Sequence, residues 1–337
     1  MSLAIPSDAT TSAAPGGLSI RAFEGTAADY AAVVALNNIC FPENPDSVEE
    51  WRHWDSTRTA RIKHQRWIAE LNGEAVGFGE YGQSESMYHP QKFRLSLAVH
   101  PAHQGRGIGR ALYGHILAAL APHDPISLRA EVRADMARAV RFVTERGFVE
   151  DMRFWESYLE LASFDPAPFA GAEERALASG ITITTVAELQ ARDPHYRRKL
   201  YELDQAATAD EPHPEPITPV PQATYEAWVF DDPNYLPEAN FIALDGDRYI
   251  GMSTLGANQG DPTELHVGFT GVLREYRGRG IALALKLRTI DYARRRGFRR
   301  LVTSNASINR PMLRINEALG FVKRPVWISY RKLIKQE

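Results

Sequence analysis

QGRGIGRALYG, Gln104–Gly114, sets two Gly-x-Gly steps between arginines and runs straight into an apolar stretch of helical character. The preceding FRLSLAV, Phe93 to Val99, reads as a strand ending at His100-Pro101. A strand, a glycine-rich turn and a helix start gather several free backbone N–H groups around one spot. The positive end of the helix dipole points there too, which favours a phosphate or pyrophosphate. Glycine is required where a Cβ would block close approach or where φ is positive. A single loop of this kind also suits a solvated turn that begins a helix. The dinucleotide pattern G-x-G-x-x-G fails, because Arg110 stands at the third glycine's place, and no Gly-Lys-Ser/Thr closes the loop.

The loop is not alone. RGRGIALALK, Arg277–Lys286, places Gly280 173 positions after Gly107, and Gly320-Phe321 follows Gly147-Phe148 at the same offset. WIAELNGEAVGF from Trp67 is echoed by FIALDGDRYIGM from Phe241, and WESY from Trp155 by WISY from Trp327. LSIRAF near residue 18 and ITITTV near residue 181 open the two copies. Landmarks in the same order, the glycine pairs at an offset of 173 and the two Trp-led stretches within one residue of it, indicate a duplication. The expected boundaries are a disordered tail over 1–17, a first domain over 18–162, a linker over 163–180 rich in Ala, Pro and Gly, and a second domain over 181–337. Copy two carries extra length at ADEPHPEPITPVPQ, residues 209–222, where prolines forbid regular helix or central strand. Such a loop is where acceptor specificity is expected to be set.

Composition narrows the class. The net charge of −3 gives no basic field for nucleic acid, and no window approaches a membrane span. Cys40 is the single cysteine, which rules out an intrachain disulfide and suits a reducing cytoplasm. The ten histidines show no metal-ligand spacing, so no metal is expected. Within copy one, AADYAAVVALNNICF from Ala27 has helical periodicity and a hairpin turns at Asn72-Gly73. SLRAEV then reads as a strand, and a short helix follows with Asp135 as its cap and Gly147 at its end. Copy two repeats that order through LHVGFTGV, a helix to about Gly297, LVTSN and NRPMLRINEALGF.

What both loops share is Q/R-x-x-G-x-G/A: Gln104, Gly107 and Gly109 in copy one, Arg277, Gly280 and Ala282 in copy two. On that motif, the strand before it, the helix ending in Gly-Phe and the duplication, the chain resembles the tandem form of the GCN5-related N-acetyltransferases. The resemblance covers about 18–161 and 181–335. It implies an α/β (α+β) fold of two tandem domains, each a mixed, mostly antiparallel twisted sheet with flanking helices. It also implies acetyl-coenzyme A as cosubstrate. The pyrophosphate clasp would be Gln104, Gly105, Arg106, Gly107, Ile108, Gly109 and Arg110, and in copy two Arg277, Gly278, Arg279, Gly280, Ile281, Ala282 and Leu283. The pantetheine-pairing strand would be Leu97, Ala98 and Val99, and Thr270, Gly271 and Val272. Copy two keeps Asn305 at the end of its strand and Asn309 at the helix start as further coenzyme-binding candidates; Asn309 matches the Asn that touches the coenzyme in the resemblance and equally serves as a helix cap, and Met136 stands at its place in copy one.

Direct attack of an amine on the thioester needs a base for the amine and often a proton for the departing thiolate. Glu264 and His266 lie two apart on the strand before the second loop, hence on one face, and are the candidate bases; a solvated strand face is the alternative. Copy one has Leu95 and Leu97 there and offers only Glu80, one strand earlier. The tyrosine that the resemblance expects four residues before the Gly of Gly-Phe is Val143 in copy one and Asn316 in copy two. RRRGFRR, Arg294 to Arg300, could meet the coenzyme's 3′-phosphate or be a solvated helix end, and Trp51, Trp54, Trp228 and Tyr225 could line an acceptor pocket or pack in the core. The resemblance implies an N-acetyltransferase acting on a primary amine of a small molecule or peptide, a monomer or homodimer, with copy two, which keeps more of the pattern, as the expected active site. A non-catalytic acyl-coenzyme A binding protein is the rival.

Overall fold

The computed structural model describes residues 15–178 and 180–335. The first half of the chain gives β1 (Leu18–Ala22), α1 (Ala27–Cys40), α2 (Val48–Ser56), β2 (Gln65–Leu71), β3 (Glu74–Gly82), β4 (Lys92–Val99), α3 (Ile108–Leu120), β5 (Ser127–Arg133), α4 (Ala137–Thr144) and β6 (Val149–Glu160). Next come α5 (Ala172–Leu177), β7 (Ile181–Thr185), α6 (Val186–Arg192), α7 (Tyr196–Thr208), α8 (Gln222–Phe230), β8 (Phe241–Asp245) and β9 (Arg248–Ala257). The chain closes with β10 (Glu264–Val272), α9 (Ile281–Arg295), β11 (Arg300–Ala306), α10 (Arg310–Ala318), β12 (Val322–Lys323) and β13 (Trp327–Leu333).

These elements form two compact units: one runs to Asp151 and resumes at Ile328, and the other is Met152–Trp327. In the first the strand order is β1-β2-β3-β4-β5-β13, and in the second β7-β8-β9-β10-β11-β6. Pairing is antiparallel except at β4/β5 and β10/β11, which are parallel. The division differs from the expected boundaries, in which each copy keeps its own closing strand. Here β6 pairs with β11 from Phe154 to Glu160, and Ser329 of β13 receives a hydrogen bond from Arg129 of β5 at 2.9 Å. WESY and WISY are so alike that either strand satisfies either edge, so local sequence does not say which sheet it joins. Part of the expected linker is structured as well. α5 buries Ala176 and pairs Glu173 with Arg288 of α9. Of the tail expected over 1–17, residues 1–14 lie outside the described residues; 15–17 make a turn, in which Gly17 O accepts from Asn72 N at 3.1 Å.

Helix α3 lays Ile108, Leu112 and Ile116 onto the first sheet, and α9 lays Ile281, Ala284 and Leu285 onto the second. Spacing of three to four residues puts each set on one face, and full burial stabilises each large apolar side chain by roughly 1.5–3 kcal/mol. The recurrent Gly-Phe pair is a helix stop. Gly147 and Gly320 take φ of +77° and +87°, and the N–H groups of Phe148 and Phe321 return to the carbonyls of Val143 and Asn316. This is a left-handed cap with a buried aromatic behind it. Asp135 does not cap α4 as expected: its carboxylate takes Arg133 Nε at 2.7 Å, and Met136 stands at the cap position.

Candidate active site

In each unit the two parallel strands begin together and then part. β4 pairs with β5 only over Lys92–Leu95, and β10 with β11 only over Glu264–His266. Leu97, Ala98 and Val99, like Thr270, Gly271 and Val272, lie in the parted halves and pair on their other side with β3 and β9. A row of backbone groups there faces a gap between strands, which an extended amide-bearing ligand can fill as an added strand.

The loops that follow share one geometry. Gly105, Gly107, Gly278 and Gly280 have φ of +79°, +86°, +77° and +83°, where other L-residues are strained. Gln104 Nε2 donates to Val99 O at 3.0 Å, and Arg277 Nε to Val272 O at 2.9 Å. Each clamps its loop to the end of the strand before it, so the motif accepts Gln or Arg alike. α3 and α9 start at Gly107 and Gly280 without a side-chain cap. The first-turn N–H groups, at Ile108, Gly109, Arg110 and at Ile281, Ala282, Leu283, therefore converge on the loop. A Cβ at Gly109 would come no nearer than 3.6 Å to its neighbours, so alanine fits at the equivalent Ala282. Arg106 Nη1 lies 3.2 Å from His103 Nδ1, and Arg279 Nη2 donates to Glu275 O at 3.2 Å. Backbone donors gathered at a helix N-terminus fit a pyrophosphate, and the adjoining gap fits the arm attached to it.

The candidate bases are placed differently from one another. Glu264, 2% exposed, holds Arg299 at 2.7 Å and Arg300 at 3.0 Å through one oxygen. This is an ion-pair arrangement at the strand's start. Glu264→Gln should lower stability by about 1–3 kcal/mol, checked by denaturant unfolding. His266 occupies the last paired position before the strands part, half-buried, its Nε2 3.1 Å from Asn258 Nδ2. Just beyond it β10 bulges between Val267 and Thr270 against β9, with Phe269 N donating to Thr254 Oγ1 at 2.9 Å. β4 shows no such irregularity. A bulge re-aims backbone groups beside a site. Glu80 of the first unit is committed elsewhere, to His64 at 3.0 Å and Arg66 at 2.7 Å.

Asn309 caps α10, accepting from Met312 N at 3.4 Å, and Asn305 accepts from Asn316 Nδ2 at 2.7 Å. The basic cluster is spent locally: Arg295 on Asp291, Arg299 on Asp261 and Glu264, Arg300 on Glu160 and Glu264. Trp51 and Tyr225 are buried, whereas Trp54 is exposed. No helix among the described residues is long and apolar enough to cross a membrane, and no group of three or more His, Cys, Asp or Glu among them could hold a metal.

The acetyltransferase (GNAT) family model matches residues 30–148 and 198–321, most of the chain and both units. The chain belongs to the GNAT family. It is therefore an N-acetyltransferase, and the family's acetyl donor is acetyl-coenzyme A. A mycothiol acetyltransferase of Nocardioides sp. is 27% identical over 239 residues, 67% of this chain and 76% of that protein. N-alpha-acetyltransferase 30 of Schizosaccharomyces pombe is 32% identical over 89 residues, 26% of this chain and 59% of that protein. The solved tandem GNAT protein from the clavulanic acid biosynthesis pathway shares the fold, with 20% identity, a TM-score of 0.73 and coverage of 95% and 99% of the two chains.

The second GNAT unit also carries a cleft of about 1000 Å³ between α7 and the proline-rich segment, lined by Tyr201, Glu202, Glu211, His213, Glu215 and Ile217 among others. Asp210 ties the start of that segment to the second glycine loop through Arg274 and through Arg277 at 2.9 Å. Ala207 of α7 lies against Gly271, where a Cβ would sit 3.2 Å from it. Burial pushes Asp204 up to about 6, helped by the nearby Glu211, and burial raises Glu211 itself. Prolines mark the 209–222 segment in the sequence, but these acids leave no such mark, because only the folding back of the segment onto α7 brings them together.

Proposed function

We propose that the second unit transfers acetyl from acetyl-coenzyme A to the primary amine of a small molecule by direct attack within a ternary complex. The bulge in β10 carries this assignment, because it adds to the shared loop and parted strands an irregularity that β4 lacks. The 1000 Å³ cleft beside α7 is the acceptor entrance. Its glutamates favour an acceptor that arrives as an ammonium ion and gives up a proton before attack. In this reading His266 receives that proton at Nε2 and gives up the hydrogen bond from Asn258 Nδ2 that orients the ring beforehand, and Glu264 fixes the strand on which His266 stands. The loop N–H groups from Gly278 to Leu283 bind and orient the donor, and the parted half of β10 excludes water from its arm. The first unit, with its equivalent loop, binds acetyl-coenzyme A in a structural or regulatory capacity.

The test is thiol release from acetyl-coenzyme A across a panel of primary amines. Saturable release with His266→Ala lowered about 100-fold or more supports the assignment. Tight acetyl-coenzyme A binding without release for any amine replaces it with a non-catalytic binding protein.

A further inference from the structure

Lys286 lies on α9, and its side chain is only 2% exposed. Among the described residues its ammonium has no hydrogen bond or ion pair; the ring of Phe321 lies against it, with the centroid 5.3 Å from Nζ. A buried unpaired ammonium is costly, and burial pushes Lys286 down to about 8. Phe321 N donates to Asn316 O at 3.0 Å, so Lys286 stands beside the last turn of α10. Asn316 is also 2% exposed, and its Oδ1 is buried without a partner. Its Nδ2 donates to Asn305 Oδ1 at 2.7 Å, and Asn305 sits on β11 beyond Val302, where pairing with β10 has ended. Lys286 on α9 and the unpartnered Oδ1 of Asn316 on α10 thus flank Phe321, and Asn316 reaches the parted half of β11 through Asn305. Apolar side chains would cost less at both places unless something binds there. The first unit has Tyr113 and Val143 at the matching positions.

We infer that Lys286 protonates the departing coenzyme A sulfur in the second unit, with Asn316 and Asn305 holding the acyl donor beside it. The inference rests on the proposed transferase role of that unit. As the acceptor nitrogen forms its bond to the acetyl carbon, the carbon–sulfur bond breaks and its electron pair goes to sulfur. Sulfur takes a proton from Nζ, and the proton lost by the acceptor nitrogen restores Nζ by way of the base and solvent. Lys286 would thereby fill the place left by the absent tyrosine.

The test uses the full chain and its Lys286→Met variant, which keeps the length and apolar stem of the side chain. Free coenzyme A is titrated in each complex by the ultraviolet absorbance of its thiolate. A cation within contact distance lowers an acid's pKa by roughly 1–3, so the bound thiol should titrate lower in the wild type and not in the variant. With acetyl-coenzyme A, kcat should fall about 100-fold in the variant. With an acetyl thioester of an acidic aryl thiol, which leaves without a proton, the loss should shrink to about threefold or less. Equal thiol titration in both proteins, or equal losses with both thioesters, overturns the inference. If neither protein binds coenzyme A at the second loop, the transferase reading falls and the inference with it; binding and turnover without a Lys286 effect leave that reading standing. Should the methionine variant fail to fold, the same two readouts on Lys286→Gln decide.

Discussion

Gly280→Asp should abolish acetyl-coenzyme A binding by the second unit, with at least about a 100-fold loss of affinity, while the protein still folds. Gly280 sits at φ +83° at the start of α9, and a Cβ there would meet only Ala176, at 3.7 Å. There is room for a side chain, so the folding cost is the left-handed backbone, roughly 1–2 kcal/mol for a non-glycine residue and less for Asp. The carboxylate would partly offset that cost by accepting from the first-turn N–H groups that now lack a side-chain cap. Those same donors are the proposed seat of the pyrophosphate, and a fixed negative charge in front of them repels a second one. Gly280→Ala adds the backbone strain without the charge and should lose much less affinity. Calorimetry checks both, and Gly107→Asp reports the first unit in the same way. Unchanged stoichiometry and affinity in Gly280→Asp would remove the loop from coenzyme binding.

The loops were legible because their chemistry is local. Positive φ at Gly105, Gly107, Gly278 and Gly280, and the Gly-Phe stops at 147–148 and 320–321, are backbone requirements that only glycine meets cheaply, so they leave a mark in sequence at a fixed spacing. The hairpin at Asn72-Gly73, with φ of +53° and +85°, belongs to the same kind. The sheet membership of β6 and β13 left no such mark, because it depends on which of two equivalent edges a strand reaches. Glu264 reads as a free carboxylate until β11 brings Arg300 opposite it in register. Lys286 was hidden for a related reason. A lysine between leucines on an amphipathic helix normally snorkels to solvent, and its burial is fixed by Phe321 and α10, elements about 30 residues further along. Asn316 is marked in the sequence only as a missing tyrosine, because it lies on α10 and its partner Asn305 comes from β11.

Arg66→Met should destabilise the first unit by about 3–5 kcal/mol. Arg66, 4% exposed, binds Asp55 at 2.9 Å and Glu80 at 2.7 Å and is sandwiched between the rings of Phe23 and Trp51 at 4.7 and 4.6 Å. Methionine replaces the stem but leaves two largely buried carboxylates facing each other without their shared cation. The loss should depend on pH in a definite direction. Burial by itself would raise Glu80, but the hydrogen bond from His64 and the charge of Arg66 outweigh it and hold the carboxyl down to about 2, against an ordinary 4.5. A carboxylate whose folded pKa is depressed contributes stability that is complete above its unfolded pKa and fades as pH falls toward the folded one. The wild type should therefore lose stability between about pH 5 and pH 2. In Arg66→Met the carboxylates accept protons more readily in the folded state, so the gap between the two proteins should narrow on acidification. Denaturant midpoints of the first unit at a series of pH values measure this directly. A gap that stays constant from neutral pH to pH 3 would mean that Arg66 acts through its aromatic packing and not through its charge.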